Sequence, residues 1–330
     1  MLACMKTIRV SRTGGPEVMD LVEVPALRPG PHEVLVRVEA AGVNFIDVNY
    51  RSGAYARELP FGLGEEGAGV VEAIGPDTTG VMAGQRVTWS SVSGSYATHV
   101  IVPAERLVSV PDGVSSRQAA AAMLQGMTAD YLSHATFPLA AGHTCLVHAA
   151  AGGVGLLLVQ MAKRAGARVI GTASTDAKAA LARAAGADEM IVYAREAFDA
   201  AARTYTGGRG VDVVYDGVGA DTFEASLMSL RPRGMLVLFG QASGRVAPLD
   251  LQVLAARGSL FVTRPTLRDY VATRAELVER SGRVLGAIAR GELDVHIHAQ
   301  FPLSNAAAAH RDLVSRGTSG KLLLVPDASL

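Results

Sequence analysis

The sequence predicts an α/β protein of two domains, a strand-rich barrel-like domain and a parallel, doubly wound sheet. Three observations carry this reading. Short alternating strands broken by Gly and Pro run from Met5 to Pro103, strands and helices alternate from Thr144 to about Gly240, and a lone strand follows a helical tail. The expected division is 1–125 with 266–330 as one domain and 126–265 as the other.

The barrel-like domain opens with Met5-Lys-Thr-Ile-Arg-Val, a first strand that makes residues 1–4 an expected dispensable extension. Arg28-Pro-Gly-Pro is a turn, and Glu33-Val-Leu-Val-Arg-Val-Glu-Ala-Ala alternates like a half-buried strand. Gly67 to Gly75, Gln85 to Trp89 and Ser95 to Val102 repeat the pattern. Near Ser116 the texture changes, and Gln118–Gln125 reads as an Ala-rich helix. Strands are then expected at Cys145–His148, Arg168–Gly171, Glu189–Val192, Val211–Asp216 and Met235–Phe239, with helices between them such as Leu156–Ala165 and Thr175–Ala185. Gly258–Arg264 is expected to complete the sheet. Leu267–Gly291 reads as helical, and Gly320–Pro326 as a strand that returns to the first domain.

Composition narrows the function. Apolar residues make up 49% of 330, enough for a large core, and basic and acidic residues balance at 31 each. A neutral chain without blocks of like charge lacks the electrostatic footprint of a nucleic-acid or anionic-membrane binder. Cys4 and Cys145 are the only cysteines, too few and too far apart for a disulfide framework or a zinc ribbon, so a reducing cytoplasm is expected. The N-terminal residues lack a basic stretch followed by an apolar run, so neither a signal peptide nor a lipidated Cys4 is expected.

The strongest local signal is His148-Ala-Ala-Ala-Gly-Gly-Val-Gly, placed after a strand and opening a helix. Ala150, Gly152 and Gly155 occupy the three positions of a dinucleotide-binding turn, where small residues let the backbone approach a pyrophosphate. An NAD site carries Asp or Glu after the second strand to bind the ribose 2′-hydroxyl. Here the run is Thr172-Ala-Ser-Thr, with no acid before Asp176 and with Lys178 close by, which suits a 2′-phosphate and so NADPH.

Taken together, these residues resemble the quinone oxidoreductase branch of the medium-chain dehydrogenase/reductase superfamily. The matching motifs include Gly14-Gly-Pro-Glu-Val-Met, Gly42-Val-Asn-Phe-Ile-Asp, Arg51-Ser-Gly-Ala-Tyr, Gly62-Leu-Gly-Glu-Glu-Gly-Ala-Gly, Gln125-Gly-Met-Thr-Ala, Tyr215-Asp-Gly-Val-Gly and Val262-Thr-Arg-Pro. The resemblance implies a GroES-like β-barrel domain plus a Rossmann doubly wound parallel sheet, and a homodimer through Rossmann edge strands, with residues 258–264 as the edge candidate. It implies that Asn44, Thr128, Gly152, Gly153, Val154, Gly155, Ser174, Lys178, Tyr193, Phe239, Gly240, Val262, Thr263 and Arg264 line the NADPH site, with Arg316 and Lys321 reaching it from the tail. Three positions depart from the pattern: Asn49 where relatives often carry Tyr, Glu65 where they often carry a small polar residue, and Gly217 where some carry Ser.

Zinc relatives on this scaffold use Cys and His where this chain carries Asn44 and Glu65, and no Cys lies between Asp77 and Pro103, so no metal is expected. One check remains at Asp294, His296 and His298, which strand alternation would place on one face. The expected chemistry is hydride transfer to a quinone or similar conjugated carbonyl. Asn44 is the first candidate for an active-site hydrogen-bond donor, against a loop-capping role. Tyr55 is a proton donor or pocket wall, Asp47 an orienting or helix-capping group, and Thr128 a helix-starting residue at the nicotinamide. Two alternatives stand beside this reading: an enone or 2-enoyl reductase, and a non-catalytic NADPH-binding protein of crystallin-like or RNA-binding type.

Overall fold

The computed structural model describes residues 5–327; Cys4 and the proposed extension lie outside them. The chain forms two compact units, 1–127 with 271–330, and 128–270.

The first unit is built on β1 (Met5–Val10), β2 (Met19–Val24), β3 (Glu33–Val43), β4 (Phe61–Gly62), β5 (Glu66–Ile74), β6 (Arg86–Ser90), β7 (His99–Pro103) and β8 (Val108–Ser109). β1 pairs antiparallel with β2 and β4 in a small sheet. The segment expected as one strand from Ser95 to Val102 divides its work: Ile8 donates to the Tyr96 carbonyl at 2.8 Å, and only His99–Pro103 pairs with β3. Helix α1 (Phe45–Ser52) follows β3 and packs its Tyr50 against the core. Val34, Val36 and Val38, at alternating positions of β3, share one core with the fully buried Trp89 and Tyr96, and the Trp89 indole N–H is satisfied by Ser95 Oγ at 2.9 Å. The helix Ser116–Tyr131, α2, runs six residues past Gln125, the expected end of the Ala-rich pattern, and the unit boundary falls inside it.

The second unit is the doubly wound sheet. Its strands are β9 (Thr144–Val147), β10 (Arg168–Ala173), β11 (Glu189–Val192), β12 (Val211–Asp216), β13 (Leu230–Leu238) and β14 (Phe261–Thr263), all parallel, in the order β11-β10-β9-β12-β13-β14. Strand order reverses at β9, where β10 lies on one side and β12 on the other. The interleaved helices are α3 (Gly153–Arg164), α4 (Asp176–Ala184), α5 (Phe198–Tyr205) and α6 (Phe223–Ser229). β12 is buried along its whole length, which is why Val-Asp-Val-Val-Tyr-Asp reads as a continuous run rather than an alternation. β14 is three residues long, shorter than the expected 258–264, and lies at one edge of the sheet.

The tail is not one helix. Leu267–Tyr270 ends, and Arg274–Ala289 starts afresh in the first unit behind a capping box, with Thr273 Oγ1 accepting from Glu276 N–H at 3.2 Å and Glu276 accepting from Thr273 N–H at 3.0 Å. β15 (Ile297–Pro302) and β16 (Lys321–Val325) then join the first unit's main sheet, β16 pairing antiparallel with β3. No helix among the described residues is long and apolar enough to cross a membrane.

Candidate active site

Two clusters hold the sequence-selected residues, one in each unit. In the parallel sheet, all loops that follow strands emerge at one edge. That edge carries the turn His148–Gly152 after β9, Ser174 and Lys178 after β10, Tyr193 after β11, Gly217 and Val218 after β12, Phe239 and Gly240 after β13, and Arg264 after β14. Ligands of such sheets bind where strand order reverses.

The turn after β9 is held on three sides. His148 N–H donates to the Tyr215 carbonyl at 3.0 Å, Ala150 N–H to the Thr172 carbonyl at 3.0 Å, and Gly152 N–H to the Ala149 carbonyl at 2.8 Å. Ala149 takes a left-handed conformation, φ 49°. The first bond of α3 runs from Leu156 N–H to the Gly152 carbonyl, so the N–H groups of Gly153, Val154 and Gly155 point past the helix end, where the helix dipole adds positive potential. A Cβ on Gly155 would stand 2.4 Å from the Ala149 carbonyl oxygen. The turn therefore tolerates only glycine there, and it fits a pyrophosphate cradle.

The end of β10 fits a 2′-phosphate. Thr175 caps α4 by accepting from Lys178 N–H at 3.3 Å, and burial pulls the Lys178 ammonium below the ordinary lysine pKa. The nearest acid, Asp176, is paired with Arg195 and so offers no bare carboxylate. Tyr193, just after β11, is 49% exposed, so its ring is not packed into the core. Across the reversal point, Phe239 and Gly240 N–H both donate to the Asp216 carbonyl, at 2.8 and 3.3 Å. A Cβ on Gly217 would meet the Phe239 ring at 2.9 Å, a physical reason for the missing serine. Arg264 donates to the Pro265 carbonyl at 3.1 Å, and Val262 and Thr263 lie in the edge strand.

In the first unit the centre is Asn44. It occupies the N-cap position of α1, and its backbone N–H donates to Asp47 Oδ2 at 2.9 Å, half of a capping box. Its side chain turns elsewhere. Asn44 Nδ2 donates to Glu66 Oε1 at 2.7 Å and to the Gly42 carbonyl at 3.4 Å, and Oδ1 accepts from Lys321 Nζ at 2.7 Å and Gln125 Nε2 at 3.4 Å. Both amide hydrogens are therefore committed, and the side chain orients its neighbours instead of reaching a substrate as a free donor. Lys321, 2% exposed, completes the cluster with an ion pair to Glu66 Oε1. Glu66 Oε2 accepts from Leu124 N–H at 2.6 Å. The expectation that Lys321 reaches a cofactor meets this arrangement: its ammonium is spent on Asn44 and Glu66. Arg316, also assigned to the cofactor from the tail, lies in a left-handed turn at φ 60° just before β16.

Asp47 is fully buried. Burial pushes its carboxyl up to about 8, reinforced by Glu65 and opposed by the Asn44 N–H, the Tyr96 hydroxyl and Lys321. Tyr96 hydroxyl donates to Asp47 Oδ2 at 3.1 Å and meets His310 Nε2 at 3.1 Å. Burial, with the Arg51 charge second, pushes His310 down to about 3. Asp47 thus caps and anchors α1. Tyr55 packs edge-on to Tyr50 at 5.9 Å, and the Arg57 guanidinium lies 3.6 Å over the same Tyr50 ring. Arg57 donates to Ser93 Oγ at 2.7 Å and stands 2.9 Å from Glu65, which accounts for the carboxylate at that unusual position.

Other expectations change. Thr128 lies inside α2, not at its start, because the Ala-rich pattern propagates through Gln125-Gly-Met-Thr; helix capping is excluded for it. Asp294 and His296 precede β15, so strand alternation does not align them with His298. The two histidines are instead bridged by Ser319 Oγ at 3.3 and 3.2 Å. Among the described residues, no group of three or more His, Cys, Asp or Glu is arranged to hold a metal ion. Sequence reasoning missed Glu66, Arg57, Tyr96 and His310, each of which works through a partner distant in the chain.

A glycine cradle at the reversal point of a parallel sheet, in a chain that also carries a separate strand-rich unit, defines a nucleotide-dependent oxidoreductase of the medium-chain type. Residues 30–112 match the alcohol dehydrogenase GroES-like domain, and 153–277 match the zinc-binding dehydrogenase family. A quinone oxidoreductase of Pseudomonas aeruginosa is 46% identical over 97% of this chain and 99% of its own length. A 2-haloacrylate reductase of Burkholderia is 42% identical over 97% and 98%. The Escherichia coli quinone oxidoreductase complexed with NADPH is 42% identical, covers 97% of this chain and 100% of that one, and superposes with a TM-score of 0.95. The chain belongs to the quinone oxidoreductase family of the medium-chain dehydrogenase/reductase superfamily.

Proposed function

We propose that this protein is a zinc-independent, NADPH-dependent quinone oxidoreductase. The observation that carries the reading is the end of β10. It presents Ser174 and Lys178 with the acid nearest in sequence, Asp176, paired to Arg195, beside a cradle that admits no Cβ at Gly155. The full-length likeness to quinone oxidoreductases, one of them solved with NADPH, supports both cofactor and acceptor.

When bound, NADPH supplies a hydride from its reduced nicotinamide, and with one proton the quinone becomes a hydroquinone. The N–H groups of Gly153, Val154 and Gly155 would hold the pyrophosphate. Ser174 and Lys178 would hold the 2′-phosphate, which a free carboxylate would repel, with Tyr193 near the adenosine. Phe239, Gly240 and Val262–Arg264, at the ends of β13 and β14, would complete the cofactor site. Asn44, fixed by Lys321 and Glu66, keeps α1 and the Tyr50–Tyr55–Arg57 group in place for the acceptor. Water supplies the proton, since Asn44 has no hydrogen to spare and Asp47 is sealed in the core. The same reading makes the protein a cytoplasmic homodimer joined through β14, an edge strand whose Phe261 is 56% exposed.

The 2-haloacrylate reductase relative favours one second reading, hydride transfer to an activated alkene. Initial rates of NADPH oxidation with 1,4-benzoquinone, phenanthrenequinone and 2-cyclohexenone separate the two. Faster turnover of the quinones is expected; turnover of the enone alone would replace the quinone reading with alkene reduction.

A further inference from the structure

Beneath the cradle lies a hydrogen-bonded chain that the proposed chemistry does not use. Ala149 N–H donates to Thr172 Oγ1 at 3.3 Å, Thr172 Oγ1 meets His148 Nδ1 at 3.0 Å, His148 Nε2 meets Ser226 Oγ at 2.9 Å, and Ser226 Oγ donates to Asp216 Oδ2 at 3.3 Å. The residues are buried: His148 is 2% exposed, Thr172 1%, and Ser226 and Asp216 0%.

The chemistry of these groups sets the direction of every bond. A carboxylate only accepts, so the Ser226 hydroxyl spends its hydrogen on Asp216. Ser226 Oγ must then accept from His148, which puts the imidazole proton on Nε2. Nδ1 is left as an acceptor for the Thr172 hydroxyl, whose oxygen is free to receive the Ala149 N–H. One neutral tautomer satisfies the whole chain, and burial holds His148 below the ordinary histidine pKa, against the pull of Asp216. Asp216 is the charged group facing the ring; Phe198 of α5 meets it edge-on at 4.6 Å.

The two ends of this chain are the two sides of the cofactor edge. At one end is Ala149, whose left-handed backbone shapes the cradle and whose carbonyl sets the Gly155 contact. At the other, Asp216 Oδ1 accepts from Val218 and Gly219 N–H at 2.7 and 3.0 Å, and so fixes the turn after β12. We infer that His148 is a positioning residue for the nicotinamide cofactor: its neutral ring locks the pyrophosphate turn after β9 to the turn after β12 in one register. The inference rests on the NADPH reading above.

The test compares His148→Leu, His148→Gln and Ser226→Ala with the parent protein. Affinity is measured by calorimetry for NADPH and for 2′-AMP, which reaches the Ser174–Lys178 end and lacks the pyrophosphate. His148→Leu should weaken NADPH about tenfold or more, as expected for two lost buried bonds, and leave 2′-AMP within about twofold. Ser226→Ala, which removes a hydroxyl without opening a large void, should weaken NADPH about threefold. His148→Gln, which can present one acceptor and one donor, should recover most of the loss. Unchanged NADPH affinity in His148→Leu and Ser226→Ala, or an equal loss for NADPH and 2′-AMP, would overturn the inference. Failure of the parent to reduce quinones is a separate result, because the affinities require no turnover; a parent that does not bind NADPH would overturn this inference and the cofactor reading together.

Discussion

The two units solve the burial of polar groups in opposite ways. Around Asn44 the network is ionic: Lys321 and Glu66 form a buried pair whose members stand 255 residues apart in the chain. Around His148 it is neutral apart from Asp216, and it is assembled from the ends of adjacent strands and the helix α6. A buried ion pair is intolerant of losing one partner, because the remaining charge has nowhere to go. A neutral relay loses one hydrogen bond at a time. The first network is therefore expected to govern whether its unit folds, and the second, on the inference above, how well a folded unit holds NADPH.

The largest effect should come from Lys321→Met, which strands Glu66 in the core and should cost about 3–5 kcal/mol in denaturant unfolding. Adding Glu66→Gln should recover much of that loss. If the double variant were no more stable than the single one, the ionic description of this network would be wrong.

Next in size, Gly155→Ala forces a methyl against the Ala149 carbonyl and should weaken NADPH by about tenfold or more, a cost of roughly 1.4 kcal/mol or above in binding. Thermal unfolding of the ligand-free protein should move far less than for Lys321→Met. Equal affinity for NADPH would remove the cradle from the account.

The smallest effect sharpens the contrast through pH. The Asp47 carboxyl is raised to about 8 in the folded chain, so the native state holds a proton that the unfolded chain releases above about 4. Its contribution makes stability fall as pH rises toward 8. His310, lowered to about 3, works the other way, making stability rise between about 3 and 6.5. The two oppose each other below about 6.5, and Asp47 alone acts between there and 8. Asp47→Asn keeps an acceptor for the Asn44 N–H and should flatten the decline in Tm between pH 6.5 and 8. A slope unchanged from the parent would contradict the assignment.

The same contrast explains what the sequence revealed. Glu189–Val192 and Val211–Asp216 were legible to the residue because buried parallel strands are short apolar runs bounded by glycine and turns. The cradle was legible because the ban on a Cβ at Gly155 is written directly as glycine. Lys321 at a strand start looked like a residue free to reach a ligand, since nothing local announces Glu66 as its partner. Asn44 looked like an available donor for the same reason. The break in the tail was signalled by Thr273-Arg-Ala-Glu276, a capping box hidden inside an otherwise continuous helical pattern.

The central claim is that the β10 end and the glycine cradle serve NADPH for quinone reduction. The direct measurement is kcat/KM for 1,4-benzoquinone with NADPH and with NADH, in chelator-treated buffer, for the parent and for Lys178→Ala. The account predicts quinone turnover unmoved by chelator and a clear preference for NADPH. That preference should shrink by about tenfold or more in Lys178→Ala, in line with a charge-assisted bond to phosphate. Equal use of the two cofactors by the parent, or loss of turnover on chelation, would contradict it.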